Sequence, residues 1–183
     1  MSKVKRLIDS YGQFISLPWR DDTAAAQRVI FCIYPETEEQ RLRANLDEFE
    51  LITRQNGHEW VTFDLTNTFA LWVAEQKYAT SYFKSPSKLT TAIHRYLDWL
   101  EQRFMWELNE HSVDDNHVVA VHGVGSVFGL LKVKEVVDRL APHITGRLVV
   151  LFPGSFENNN YRLLDGYDGW NYLATPITPD GVR

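Results

Sequence analysis

Four short apolar runs, each flanked by turn residues, constrain this chain most. They are "RVIFCIY" (28–34), "EWVTFDL" (59–65), "VVAV" (118–121) and "GRLVVLFPG" (146–154). Three of them are continuously apolar and rich in valine and isoleucine. A strand of that kind must be covered on both faces, which is the situation inside a parallel sheet. Between the runs lie stretches with helical periodicity. Strand–helix alternation predicts an α/β domain with a mostly parallel sheet of about five strands, in a Rossmann-like or P-loop-like layout. At 183 residues and 44% hydrophobic content, one domain spanning 1–183 is the expectation.

The helices follow from the spacing. Val4, Leu7, Ile8 and Tyr11 predict an N-terminal amphipathic helix within 1–15. Pro35, Thr37 and the acids after them mark the start of a helix with Leu42, Leu46, Phe49 and Thr53 on its inner stripe. Gly57 suits its end. Thr66 is positioned to cap a helix containing Phe69, Trp72 and Val73. Leu89, Ile93, Tyr96, Leu97, Leu100, Phe104 and Leu108 predict a long helix over 87–110. Trp99 and Trp106 fall roughly 100° around from that stripe. They either join the core or form a partner-binding edge. Val136, Val137 and Leu140 predict one more helix, and the turn-rich segment 153–183 ends in a last strand within "WNYLATPI".

Net charge is −5, with no basic tail, so strong direct nucleic-acid binding is not expected. Cys32 is the sole cysteine and sits in an apolar run, which predicts a buried thiol and excludes an intrachain disulfide or a multi-cysteine zinc site. No stretch has the length of a membrane span, and "MSKVKRLIDSYG" lacks the apolar core of a signal peptide, so a soluble cytoplasmic protein is expected.

The loops after the four strands form the ligand-prone edge of such a sheet. The third carries "HGVGSVFG". Its glycines at 123, 125 and 129 miss the dinucleotide spacing, and no Gly-Lys-Ser/Thr follows, so there is no Walker A motif. The turn needs glycine for positive φ or close packing, or else Gly123, Gly125 and Ser126 hold an anion. Ser126 lacks the G-x-S-x-G context of a nucleophile elbow. A Ser126–His122–Asp64 hydrolase would need the fold to assemble it. Gly154 and the consecutive Asn158, Asn159 and Asn160 are the fourth loop's candidates. They either satisfy an irregular backbone or take positive φ, or else bind a polar ligand. Arg162, Asp165 and Asp168 can tie that loop down. His111, Asp114, Asp115 and His117 read as a solvated loop; Glu101, Glu107 and Glu110 read as a polar helix face. No metal, cofactor or catalytic residue is expected.

"FPGSFENNNYRLLDGYDGWNYLATPIT", preceded by "VVAVHGVGSVFGLLKV" and "GRLVV", closely resembles the BrxB family. "ISLPW", "RVIFCIY", "EFEL", "FDLTNTFALW" and "YFKSP" resemble it in the same order, over nearly the whole chain. The resemblance implies a component of BREX, a bacterial phage-exclusion system that methylates host DNA and blocks phage lacking the mark. It implies a non-catalytic accessory subunit required with a methyltransferase, a large ATPase and PglZ. PglZ, an alkaline-phosphatase-like protein, is the implied direct partner, with other BREX components as further partners. The alternative is a regulatory subunit that binds a nucleotide or phosphate ligand at the strand-end loops.

Overall fold

The computed structural model describes residues 1–164, 166 and 171–183. The chain opens with α1 (Lys3–Ile15), whose N-terminus is capped by the Ser2 hydroxyl accepting from the Lys5 amide. β1 (Val29–Tyr34) follows, then the short α2 (Glu39–Arg43) and α3 (Leu46–Gln55). β2 (Glu59–Asp64) leads into α4 (Thr68–Glu75), α5 (Ala79–Lys84) and the long α6 (Ile93–Glu110). β3 (His117–His122), α7 (Val133–Leu140) and β4 (Arg147–Glu157) complete the alternating part. β5 (Asn160–Leu163), β6 (Thr175–Thr178) and β7 (Gly181–Val182) close the described chain.

The sheet runs β2-β3-β4-β1-β6-β7, and β5 pairs with β4. The β2–β3, β3–β4, β4–β1 and β1–β6 pairs are parallel. The β4–β5 and β6–β7 pairs are antiparallel. The expected mostly parallel sheet is therefore present, with seven strands instead of about five. Its order is neither the Rossmann 3-2-1-4-5-6 nor the flavodoxin 2-1-3-4-5 arrangement. Where a P-loop would follow β1, the chain reads Pro35, Glu36, Thr37.

Alternation along the central strands divides two cores. Val29, Phe31 and Ile33 of β1, with Leu148, Val150 and Phe152 of β4, face α4, α6 and α7. Ile30, Cys32 and Tyr34, with Val149 and Leu151, face α1, α2 and α3. All six side chains of β1 are buried, as its unbroken apolar run requires. Cys32 is buried as expected, and burial pushes its thiol up. Each fully buried aliphatic or aromatic side chain stabilises the fold by about 1.5–3 kcal/mol.

Four sequence expectations need correction. The helix after β1 breaks at Ala44 and Asn45, so α2 and α3 are separate, although Gly57 does end α3 with φ +83°. The long helix starts at Ile93, because residues 86–91 form a 3-10 stretch begun by Pro86. The "FPGSFENNN" segment is no strand-end loop. β4 continues to Glu157 and turns back through Asn158 and Asn159, both in the left-handed region (φ 50° and 62°), to pair Glu157 with Asn160. Two left-handed residues in a two-residue loop match the type I′ hairpin. The strand expected last, within "WNYLATPI", begins only at Thr175 and is followed by β7, and Trp170 lies outside the described residues, as do Asp165 and Asp168.

A side chain at Gly154 would place its Cβ 1.9 Å from the Arg162 carbonyl oxygen, inside the β4–β5 pair. Gly154→Ala is expected to open that hairpin and cost about 1–3 kcal/mol. A urea midpoint unchanged from wild type would show that the strands can separate without penalty.

Candidate functional site

β1 and β4 are neighbours, yet their onward connections leave on opposite faces. The segment after β1 packs Leu42 and Phe49 on the α1 face, whereas the hairpin after β4 packs Tyr161 and Leu163 on the α6 face. Such a switch point leaves a crevice outside the carboxyl ends of the strands. A cleft of about 240 Å³ lies there, lined by Glu36, Glu39, Arg43, Gly123, Gly125, Ser126, Pro153 and Leu164. Gly123, Gly125 and Ser126 thus come together as the loop analysis expected. Gly154 follows the lining residue Pro153, but its role is the hairpin contact. Asn158, Asn159 and Asn160 do not line this cleft; Asn159 borders a separate one beside β6.

Polar groups at the base of the cleft hold one another. Tyr34, whose phenol is pushed up by burial, donates to Glu39 Oε2. Arg43 Nε donates to Glu39 Oε1 at 2.8 Å and its Nη2 to Thr66 Oγ1 at 2.8 Å. Thr66 in turn donates to Asp64 Oδ1 from its hydroxyl (2.5 Å) and its amide (2.9 Å). Thr66 therefore closes a turn on Asp64 and does not cap α4; Asn67 occupies the cap position without a side-chain bond. Burial alone would raise the Asp64 carboxyl. The two Thr66 bonds, with His122 and Arg43 nearby, outweigh it and hold Asp64 below its ordinary value.

Register places Asp64 opposite His122 on β3. His122 Nδ1 lies 3.5 Å from Asp64 Oδ1, is buried and makes no hydrogen bond. Burial lowers the imidazole's pKa, partly opposed by Asp64. The fold places Asp64 beside His122 without a hydrogen bond between them, and no hydrogen bond joins Ser126 to His122 among the described residues, so no triad is assembled there.

Gly123 has φ +70°, and a Cβ there would meet Thr66 Oγ1 at 2.5 Å and Asp64 Oδ1 at 2.7 Å. Both structural reasons for glycine, positive φ and close approach, apply at this one position. The turn enters a four-residue 3-10 segment (Val124–Val127), and α7 starts only at Val133. The expected junction of glycine turn and helix N-terminus is absent from the described residues.

Residues 61–176, more than half of the chain, match the family model described as BREX protein BrxB. The chain belongs to the BrxB family. Membership makes this BrxB-family protein a BREX phage-defence component. No curated protein and no solved structure matches the chain.

The matched region of this BrxB-family chain includes the glycine turn, Asp64, His122 and α6, while Glu39 and Arg43 precede it. On α6 the two tryptophans part ways. Trp99 is half-buried against the core and donates from Nε1 to Glu75 Oε2 at 2.9 Å. Trp106 is 51% exposed, with the Arg103 guanidinium 5.3 Å from its ring centre. On the same helix Glu101 accepts from Arg139 (2.6 Å) and His143 (2.8 Å), so that part of the expected polar face is an interhelical tie. His117 and Asp114 pair at 2.7 Å, and among the described residues no group of three or more His, Cys, Asp or Glu could hold a metal. Among them, too, no helix is long and apolar enough to cross a membrane.

Arg43, Glu39 and Tyr34 escaped the sequence reading. Their one visible signal was a charged "ETEEQRLR" directly after a buried strand, which reads as an ordinary helix face.

The fold favours neutral His122. Its contribution to stability is complete above the ordinary histidine value of 6.5 and is lost as pH falls below that through the lowered value. Urea midpoints should therefore fall between pH 6.5 and more acidic conditions, and less steeply in His122→Gln. Equal slopes in the two proteins would assign the acid sensitivity elsewhere.

Proposed function

We infer that this chain is a non-catalytic interaction subunit of a BREX complex, acting in the cytoplasm with the methyltransferase and PglZ, and that PglZ is its direct partner. The observation that carries this reading is the exposed Trp106 on α6, in a chain of the BrxB family. Tryptophan and arginine are among the residues that most often anchor interfaces, and here they sit together on one helical edge. The cleft's chemistry fits the same reading. Glu39, Arg43, Thr66 and Asp64 are committed to bonds with one another, which suits holding a loop edge in shape.

A second reading rests on the cleft itself. Its place at the switch point, with Gly125 and Ser126 on its wall, favours a small polar ligand such as a nucleotide, making the chain a regulatory subunit. A melting shift at about millimolar nucleotide is its expected sign; an unmoved transition removes this reading.

The interaction reading is tested by affinity purification of the full chain with BREX proteins co-expressed. PglZ should be retained, and Trp106→Ala should weaken retention while changing stability by less than about 0.5 kcal/mol. Trp99→Ala, which strips a side chain packed on the core, should instead cost about 1–3 kcal/mol. Loss of folding in Trp106→Ala, or no PglZ retained by wild type, would remove the reading's support.

A further inference from the structure

From residue 76 to residue 97 the chain carries Lys77, Lys84, Lys88, His94 and Arg95 and no aspartate or glutamate. This is unusual within a chain of net charge −5. The acids at its two margins are engaged elsewhere. Glu75 accepts from Trp99 Nε1, and Asp98 accepts from Arg139 at 2.9 Å. Most other exposed basic side chains sit in ion pairs, such as Lys5 with Glu48, Arg54 with Glu50 and Lys134 with Asp138. Among the described residues, no ion pair involves Lys77, Lys84, Lys88 or Arg95. The segment is one structural unit: α5 packs on the 3-10 stretch Pro86–Thr91, and Lys88 Nζ donates to Ser81 Oγ at 3.1 Å.

The same unit leaves large apolar side chains in solvent. Phe83 is 72% exposed and Tyr78 61% exposed, with Lys77 Nζ 5.6 Å from the Tyr78 ring centre. Leu71 on the adjoining α4 is 48% exposed. Interfaces combine such apolar anchors with a charged rim.

We propose that the basic, aromatic segment 76–95 is a docking surface for an acidic segment of a partner protein, one carrying an apolar side chain that seats on Phe83 and Tyr78. This deepens the interaction reading above and rests on it. Charge complementarity selects the partner's sign, because unpaired lysines and Arg95 attract carboxylates. The patch's extent selects a protein over a nucleic acid. A nucleic-acid strand carries a phosphate at every nucleotide, so beyond the patch it would run against the acidic remainder of the chain. A protein segment can end its charge where the patch ends.

The full chain is compared with Lys84→Glu/Lys88→Glu, with Lys84→Arg/Lys88→Arg and with Phe83→Ala, each checked for an unchanged melting transition. Retention of the BREX protein that co-purifies with wild type is the readout. The charge-reversed and Phe83→Ala variants should retain it about tenfold less, and the arginine variant should match wild type. Retention undiminished by charge reversal, while wild type still binds its partner, overturns this proposal and leaves the interaction reading standing. Failure of wild type to retain any BREX protein overturns both. A fluorescent single-stranded DNA oligonucleotide that wild type binds and the charge-reversed variant does not would also overturn it, in favour of a nucleic-acid occupant.

Discussion

The pairing of β1 with β4, buried on both faces, is the constraint on which the rest depends. Six register pairs from Val29–Leu148 to Tyr34–Pro153 bring two almost wholly apolar strands together. Neither strand can face water on either side, so helices must cover both faces. That requirement sends the connection after β1 over one face and the connections after β2, β3 and β4 over the other. The divergence opens the cleft between the ends of β1 and β4. Its position is a result of covering the sheet.

Within the cleft, the side chains are arranged around loop contacts. Gly123 lies against the Asp64–Thr66 turn, and Arg43 links that turn to Glu39, which also receives the Tyr34 phenol. The ends of β1 and β2 and the helix α2 are thereby tied by charge-assisted bonds, the stronger kind of hydrogen bond, with the end of β3 packed against them. Around the rest of the surface most basic groups are paired. Exposed Tyr78, Phe83 and Trp106 and the unpaired Lys77, Lys84 and Lys88 lie on the segment from residue 77 through the 3-10 stretch and on α6. Such an uneven distribution of anchors fits a protein that works by contact with other components of a defence system.

Much of the architecture was legible. Strand positions followed from apolar runs that only a doubly covered sheet accommodates, and α1, α6 and α7 followed from helical spacing. The errors occurred where a local rule had two outcomes. Thr66 had the residue type of a helix cap, but its hydroxyl oxygen accepts from Arg43 Nη2 and its hydroxyl and amide donate to Asp64, so it binds the turn and not the start of α4. The asparagines after β4 looked like an open loop. Asn158 and Asn159 are instead a two-residue turn, and Asn160 opens the partner strand β5, which was too short to show periodicity. Trp99 and Trp106, a heptad apart, were indistinguishable until α4 came to cover the first and not the second.

By itself, then, the sequence determined the α/β class, the buried strands and the family likeness. Each of these depends on composition and spacing within a few dozen residues. Tertiary structure alone decided the strand order, the meeting of Arg43 with Thr66 and of Asp64 with His122, and which aromatics remain in solvent. Those outcomes depend on which elements become neighbours in space. Strands buried on both faces are interchangeable in hydrophobic pattern, so periodicity carries no information about their order. It is the crossovers and the covering of both faces that select it.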